Sequence, residues 1–155
     1  MVLSAGLLMF RRRNGLELFL VHPGGPFFRN KDEGAWSIPK GEVEPSEDPL
    51  STARREFSEE TGIDVPENGY VALGAVRQKG GKRVTAWAFE GDCDPAAIKS
   101  NTFEIEWPPR SGKRQSFPEV DRADFFSPDA ARVKLNAAQT ELVTRLEDAL
   151  TRTEI

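Results

Sequence analysis

Residues 41–63, GEVEPSEDPLSTARREFSEETGI, contain a helix whose ends and faces can be assigned from side-chain chemistry. Asp48 suits the N-cap, because its carboxylate can accept a hydrogen bond from an otherwise unpaired first-turn amide. Pro49 then takes the first helical position, where a missing N–H costs nothing. Gly62 stops the helix, since it adopts the left-handed C-terminal conformation without strain. Between these ends, Leu50, Ala53 and Phe57 recur at i, i+3 and i+7 and predict a buried stripe. Glu56, Glu59 and Glu60, at i, i+3 and i+4, emerge on one face within a single turn. At about 100° per residue this acidic group lies beside the apolar stripe, so the carboxylates are expected at the edge of the core, in a cleft. Two such charges about 6 Å apart at an effective dielectric near 20 repel by about 3 kcal/mol. A hard divalent cation such as Mg²⁺ relieves that repulsion and takes oxygen ligands together with substrate phosphates.

Working outward, WSIPKG at 36–41 leads into this stretch, with Pro39 disfavouring helix and Lys40 placed for a phosphate contact. Upstream, the apolar runs Ser4 to Phe10 and Leu16 to His22 flank RRRNG, and Asn14-Gly15 predicts a β-hairpin. Arg11 to Arg13 read as a solvated turn. HPGGPFFRNKDEG at 22–34 is a loop by composition, and His22 reads as a structural histidine of it. Downstream, 70–78 and 83–90 predict a second hairpin around Gly80 and Gly81. Its turn cations, Lys82 and the phosphate candidate Arg83, ordinarily face solvent. FEIEW at 103–107 alternates with period two, placing Phe103, Ile105 and Trp107 on one face and Glu104 and Glu106 on the other. Residues 108–126 read as loop until their last few positions. Two helical patterns close the chain, the second striped by Leu142, Val143, Leu146 and Leu150.

At 155 residues the chain is expected to form a single domain over 1–155. Its 38% hydrophobic and 30% charged residues predict a soluble globular protein and exclude a disordered or fibrous one. A net charge of -4 argues against a general nucleic-acid coat protein. The single Cys93 cannot form an internal disulfide, and the lone His22 excludes zinc sites that need several His or Cys ligands. A cytoplasmic setting follows as the expectation. The positive charges of MVLSAGLLMFRRR follow its short apolar run instead of preceding it, unlike a signal peptide, and no apolar stretch approaches membrane-spanning length.

Gly41, five residues, Glu47, seven residues, then Arg55-Glu56-Phe57-Ser58-Glu59-Glu60-Thr61-Gly62-Ile63 resembles the Nudix box at every specified position. The resemblance implies an α/β fold, an α/β/α sandwich around a mixed β-sheet. It also implies hydrolysis of a pyrophosphate bond in a nucleoside diphosphate linked to X. Carried over, Glu56, Glu59 and Glu60 would bind Mg²⁺ or Mn²⁺ with the Gly41 carbonyl. Glu56 would help deprotonate the attacking water, Arg55 would orient Glu56, and Glu47 and Gly62 would brace the motif. An additional acidic residue from outside the box is expected; Glu119 is the first candidate, ahead of Glu104 and Glu106.

The box leaves X open. WSIPKG resembles the WxxPKG approach of diadenosine polyphosphate hydrolases and some nucleoside triphosphate pyrophosphohydrolases, and departs from the FPGG of MutT-type enzymes that sanitise oxidised nucleotides. Trp36, Trp87, Phe27 and Phe28 are candidates to stack on a base. The leading expectation is a small-molecule nucleotide pyrophosphohydrolase with no stable nucleic-acid or membrane partner. The alternatives are an RNA 5′-end pyrophosphohydrolase guided by RSGKR at 110–114, a MutT-type enzyme, and a catalytically silent nucleotide-binding domain. Oligomeric state is open.

Overall fold

Strand β1 (Leu3–Arg12) occupies the centre of the computed structural model, which describes residues 2–153. It needs no polar face: Ala5, Leu7 and Met9 point to one side and Leu8 and Phe10 to the other, all buried. Burial on both faces is the signature of a strand covered by two layers. β2 (Leu16–Pro23) pairs antiparallel with β1, after a turn in which Asn14 and Gly15 have φ of 56° and 99°. The predicted first hairpin is therefore present.

β3 (Lys40–Glu42) also pairs antiparallel with β1, at Ser4 to Gly6. Gly6 permits that approach, because a Cβ there would stand 2.6 Å from the Pro39 carbonyl oxygen. Helix α1 (Pro49–Thr61) follows, with Asp48 accepting from the Ser51 amide and Gly62 at φ 75° closing it. β4 (Val71–Arg77) and β5 (Arg83–Glu90) form the second hairpin. β5 lies parallel to β1, so one parallel pair makes an otherwise antiparallel sheet mixed.

The stretch 108–126 departs from expectation. β6 (Thr102–Glu106) pairs with β7 (Arg114–Pro118) in a separate two-stranded ribbon, and β8 (Val120–Phe126) joins the main sheet beside β2. Arg114, Gln115 and Ser116 lack any apolar alternation, so β7 is defined by its partner and not by its own pattern. Helices α2 (Pro128–Lys134) and α3 (Thr140–Thr153) end the described chain.

The main sheet runs β4-β5-β1-β2-β8. One face packs on α1 through Phe19, Phe89 and Phe125 against Ala53 and Phe57. The other packs on α2 and α3 through Leu8, Leu18 and Val84 against Ala131, Leu142 and Leu146. The result is the α/β/α sandwich. Among the described residues, no helix is long and apolar enough to cross a membrane.

Candidate active site

Ala53 and Phe57 seat one stripe of α1 against the sheet, which turns the neighbouring stripe of Glu56 and Glu60 to the edge of that packing. Glu119 reaches the same point from a segment sixty residues away. Carboxylate oxygens of Glu56, Glu60 and Glu119 lie within 4.8 Å of one another. A run of backbone hydrogen bonds sets this meeting. The Asn101 amide donates to the Glu59 carbonyl (2.8 Å), the Glu119 amide to the Asn101 carbonyl (2.8 Å), and the Gly24 amide to the Glu119 carbonyl (2.9 Å). Gly24 is required there, since a Cβ would fall 2.0 Å from the Pro118 carbonyl oxygen.

The electrostatics follow from crowding. Burial, then repulsion from Glu56 and Glu119, pushes the Glu60 carboxyl up to about 8. Burial and Glu59 raise Glu56, and burial and Glu59 raise Glu119. Lys40 sits against this group, and burial lowers its pKa despite the pull of Glu60. Desolvation thus outweighs attraction on both sides of the Lys40–Glu60 contact. Closely set, hard oxygen donors that crowding makes reluctant to ionise without a counter-ion fit a divalent cation such as Mg²⁺.

Glu59 is placed differently. Arg55 Nη1 lies 3.2 Å from both Glu59 oxygens and 3.2 Å from Glu56 Oε1, while its Nε and Nη2 grip Glu47 at 2.9 and 2.8 Å. Arg55 is held firmly charged by Glu47, and its two hydrogen bonds hold Glu47 down at about 2. Glu47 also accepts from Thr52 Oγ1 at 3.1 Å. Glu47, Arg55, Glu56 and Glu59 therefore form one bonded chain along α1.

Gly41 abuts Glu56: a Cβ on it would stand 2.1 Å from Glu56 Cδ. The colliding atoms belong to a flexible side chain, so Gly41→Ala is expected to displace the Glu56 carboxylate without unfolding the chain. Turnover should fall at least about tenfold while the thermal midpoint moves by no more than about 2–4 °C, the equivalent of roughly 1 kcal/mol in a chain of this size. Parallel kinetic and melting measurements check this split.

Trp36 does not join the site. It is buried, its Nε1 donates to Asp32 (2.7 Å), and its ring packs edge-on against Phe126 (5.0 Å) and His22 (5.3 Å), on the sheet face away from α1. An indole with a satisfied N–H and two ring neighbours has no face for a base. Arg83 lies exposed at the start of β5, on the same strand face as Trp87 and Phe89, next to Lys82. Trp87 packs partly buried under α1. Glu104 and Glu106 project from the β6–β7 ribbon, where Glu106 accepts from the Arg110 amide (3.0 Å), and neither joins Glu56 and Glu60. His22 is buried and bridges Asp121 (2.8 Å) and the Lys31 carbonyl (2.6 Å), bracing the 24–35 loop. Phe27, exposed on that loop, meets Trp107 edge-on at 5.4 Å.

The NUDIX domain family profile matches residues 2–146. The chain belongs to the Nudix family. Similarity to individual Nudix proteins is weaker and uneven. The bis(5′-nucleosyl)-tetraphosphatase (asymmetrical) of Sus scrofa is 38% identical over 68 residues, 39% of this chain and 42% of that protein, so the match spans less than half of the relative. A Caenorhabditis elegans Ap4A hydrolase binary complex superposes with a TM-score of 0.65 at 22% identity, covering 98% of this chain and 99% of that one. The NUDIX domain of Shewanella oneidensis NrtR, crystallised with ADP ribose, gives 0.65 at 17% identity over 97% and 88%. At these identities the structural likeness establishes the Nudix fold.

Proposed function

We propose that this Nudix chain hydrolyses a phosphoric anhydride bond in a nucleotide, with dinucleoside polyphosphates and nucleoside triphosphates as the leading substrates. The observation that carries the reading is the meeting of Glu56, Glu60 and Glu119 within 4.8 Å. Sequence similarity to the bis(5′-nucleosyl)-tetraphosphatase supports the substrate class.

Glu56, Glu60 and Glu119 would hold Mg²⁺ or Mn²⁺, with the Gly41 carbonyl and Glu59 at the margin of that set. The bound ion supplies charge neutralisation for the phosphate oxygens and acidifies water. Glu56 takes the proton of the attacking water. Arg55 positions Glu56 through the 3.2 Å contact to Oε1, and is anchored in turn by Glu47. Lys40 contacts a phosphate oxygen of the substrate, and Arg83 lies at the outer edge of the same approach. Phosphoryl transfer needs mainly positioning and charge stabilisation, and these groups provide both.

A second reading, a 5′-triphosphorylated RNA end as substrate, draws on the β6–β7 ribbon. Its turn exposes Arg110, Lys113 and Arg114 beside the Phe27–Trp107 pair, a mixture of cations and rings that suits single-stranded nucleic acid.

A product-resolved screen with Mg²⁺ over nucleoside triphosphates, dinucleoside polyphosphates, nucleotide sugars and 5′-triphosphate RNA tests both readings. Turnover of the first two, abolished by EDTA, is the expected outcome; no turnover of any substrate would leave a nucleotide-binding domain. Glu119→Gln is expected to weaken Mg²⁺ activation by about 10–100-fold, whereas Glu104→Gln and Glu106→Gln leave it unchanged. Metal titration of activity in the three variants separates these outcomes.

A further inference from the structure

His22 is the single histidine of the chain and lies buried near the end of β2. Its Nδ1 is 2.8 Å from a carboxylate oxygen of Asp121, and its Nε2 is 2.6 Å from the Lys31 carbonyl oxygen. A backbone carbonyl can only accept, and so can an ionised carboxylate. A neutral imidazole has one N–H, which leaves its other nitrogen as an acceptor facing an acceptor; an imidazolium donates from both. A buried polar group left unpaired carries its full desolvation penalty, so this geometry calls for two ring protons. The neighbouring charges agree with that reading. On β8, Asp121 faces Nδ1, while the Arg122 guanidinium is turned onto the Trp36 ring at 5.2 Å. On the 24–35 loop, Asp32 is taken up by Trp36 Nε1 (2.7 Å) and by Lys134 of α2 (2.5 Å), with Arg122 4.0 Å away. The Lys31 ammonium lies over the Phe28 ring at 5.5 Å. Asp121 thus supplies the anion that matches an imidazolium.

The ring stands at a break in strand register. His22 pairs with Arg122 and Pro23 with Val120, so Asp121 is the extra residue of a bulge and has no partner across the ladder. Bulges re-aim side chains beside active sites. Two residues before Asp121 stands Glu119, whose carbonyl accepts from the Gly24 amide at 2.9 Å, two residues after His22. The His22–Asp121 and Gly24–Glu119 bonds therefore close a circuit around the bulge. The Lys31 carbonyl ties the middle of the 24–35 loop to the same imidazole.

We propose that His22 is a positioning residue of the hydrolytic site, a doubly protonated clamp that holds the 24–35 loop and the Glu119 bulge in place. Its link to turnover rests on the nucleotide-hydrolase reading above; its protonation does not. When the ring releases a proton to solvent it keeps Nδ1–H, because the bond to the charged Asp121 carboxylate is the stronger one. The Nε2 lone pair then faces the Lys31 carbonyl. Lys31 is an exposed residue, so its carbonyl turns out to water. The loop slackens, and with it the Gly24 amide that fixes Glu119.

Nitrogen NMR spectra of the ring and amide hydrogen exchange, recorded on the full chain in EDTA from about pH 5 to about pH 9, test the clamp without turnover. One histidine gives one set of ring signals. The ring is expected to carry two protons wherever the loop is protected. Protection of the Lys31 and Ala35 amides, bonded to the Phe28 and Asp32 carbonyls, should fall by about tenfold at the pH where the Nε2 proton is lost. Asp121→Asn offers an N–H to Nδ1 of a neutral ring and frees Nε2–H for Lys31, so this variant should stay protected across the range. His22→Gln has a single donor group and should lack protection throughout. Asp121 is partly exposed, so Asp121→Asn serves as the folded variant if the buried glutamine is not tolerated. With Mg²⁺ present, the concentration giving half-maximal turnover in the wild type should match that of Asp121→Asn below the transition and exceed it by at least about tenfold above. A neutral ring beside a protected loop places the proton on Asp121 and overturns the proposal. Loss of protection in Asp121→Asn at the wild-type pH, or an Mg²⁺ requirement that never departs from that of the variant, overturns it too. A titrating clamp in a chain that hydrolyses no nucleotide removes the hydrolase reading alone; turnover with a neutral ring removes the clamp alone.

Discussion

Glu56→Gln is expected to lower kcat by about 10²–10⁴-fold, the loss typical of a removed general base, with little change in thermal midpoint. Gln keeps an oxygen for Arg55 Nη1, now 3.2 Å from Oε1, and nearly the same volume beside Gly41. It removes a charge that burial and Glu59 already disfavour, as the raised pKa of Glu56 records. The two readouts should therefore part: activity collapses while the fold is kept. A variant that melts early and loses activity together would assign Glu56 to structure; one that turns over normally would sink its role as base. Arg55→Lys provides the companion measurement. A lysine cannot span Glu47, Glu56 and Glu59 as the guanidinium fork does, so kcat should fall while substrate KM stays near its original value.

In the metal-free protein, stability should decline as pH rises from about 4.5 to about 8, and Glu60→Gln should remove most of that decline. The sign follows from proton counting. The Glu60 carboxyl titrates near 8 in the folded chain and near its ordinary value of 4.5 when unfolded. Between those values the folded state binds more protons than the unfolded state, so stability falls with rising pH. Its contribution is complete below the unfolded pKa and gone above the folded one. Glu56 and Glu119, also raised, act in the same direction. Glu47 acts oppositely, because its pKa is lowered to about 2, and its contribution is lost only as pH falls towards that value. Mg²⁺ should displace the Glu60 proton below pH 8, so the thermal shift it produces is larger at pH 8.5 than at pH 5.5. Melting curves of the wild type and Glu60→Gln, with Mg²⁺ and with EDTA, measure each arm. A wild-type slope equal to that of the variant would show that Glu60 does not carry the linkage.

The parts of this molecule legible in the sequence are those decided within a few residues. Asp48, Pro49 and Gly62 bound α1 because capping is a local contest over a handful of amides. Leu50, Ala53 and Phe57 set its buried side because helical geometry fixes their spacing. Asn14 and Gly15 likewise announced the first hairpin. β7 was not legible, because Arg114, Gln115 and Ser116 carry no alternation and become a strand only through pairing with β6. Trp36 had the same residue chemistry whether it stacked on a base or filled the core. Its position between Phe126 and His22 decided the matter.

The stretch 41–63 by itself determined the Nudix assignment, the acidic face of α1 and the chemistry to which that face is suited. Helix periodicity and cap preference are short-range, and they survive translation from sequence to space without knowledge of the rest. Tertiary structure alone decided which carboxylates meet. Arg55 draws Glu59 aside, while the backbone bonds through Asn101 and Gly24 deliver Glu119 to Glu56 and Glu60. These placements depend on strand order and on hydrogen bonds between distant segments, whose energies are comparable for many pairings until the whole chain has folded.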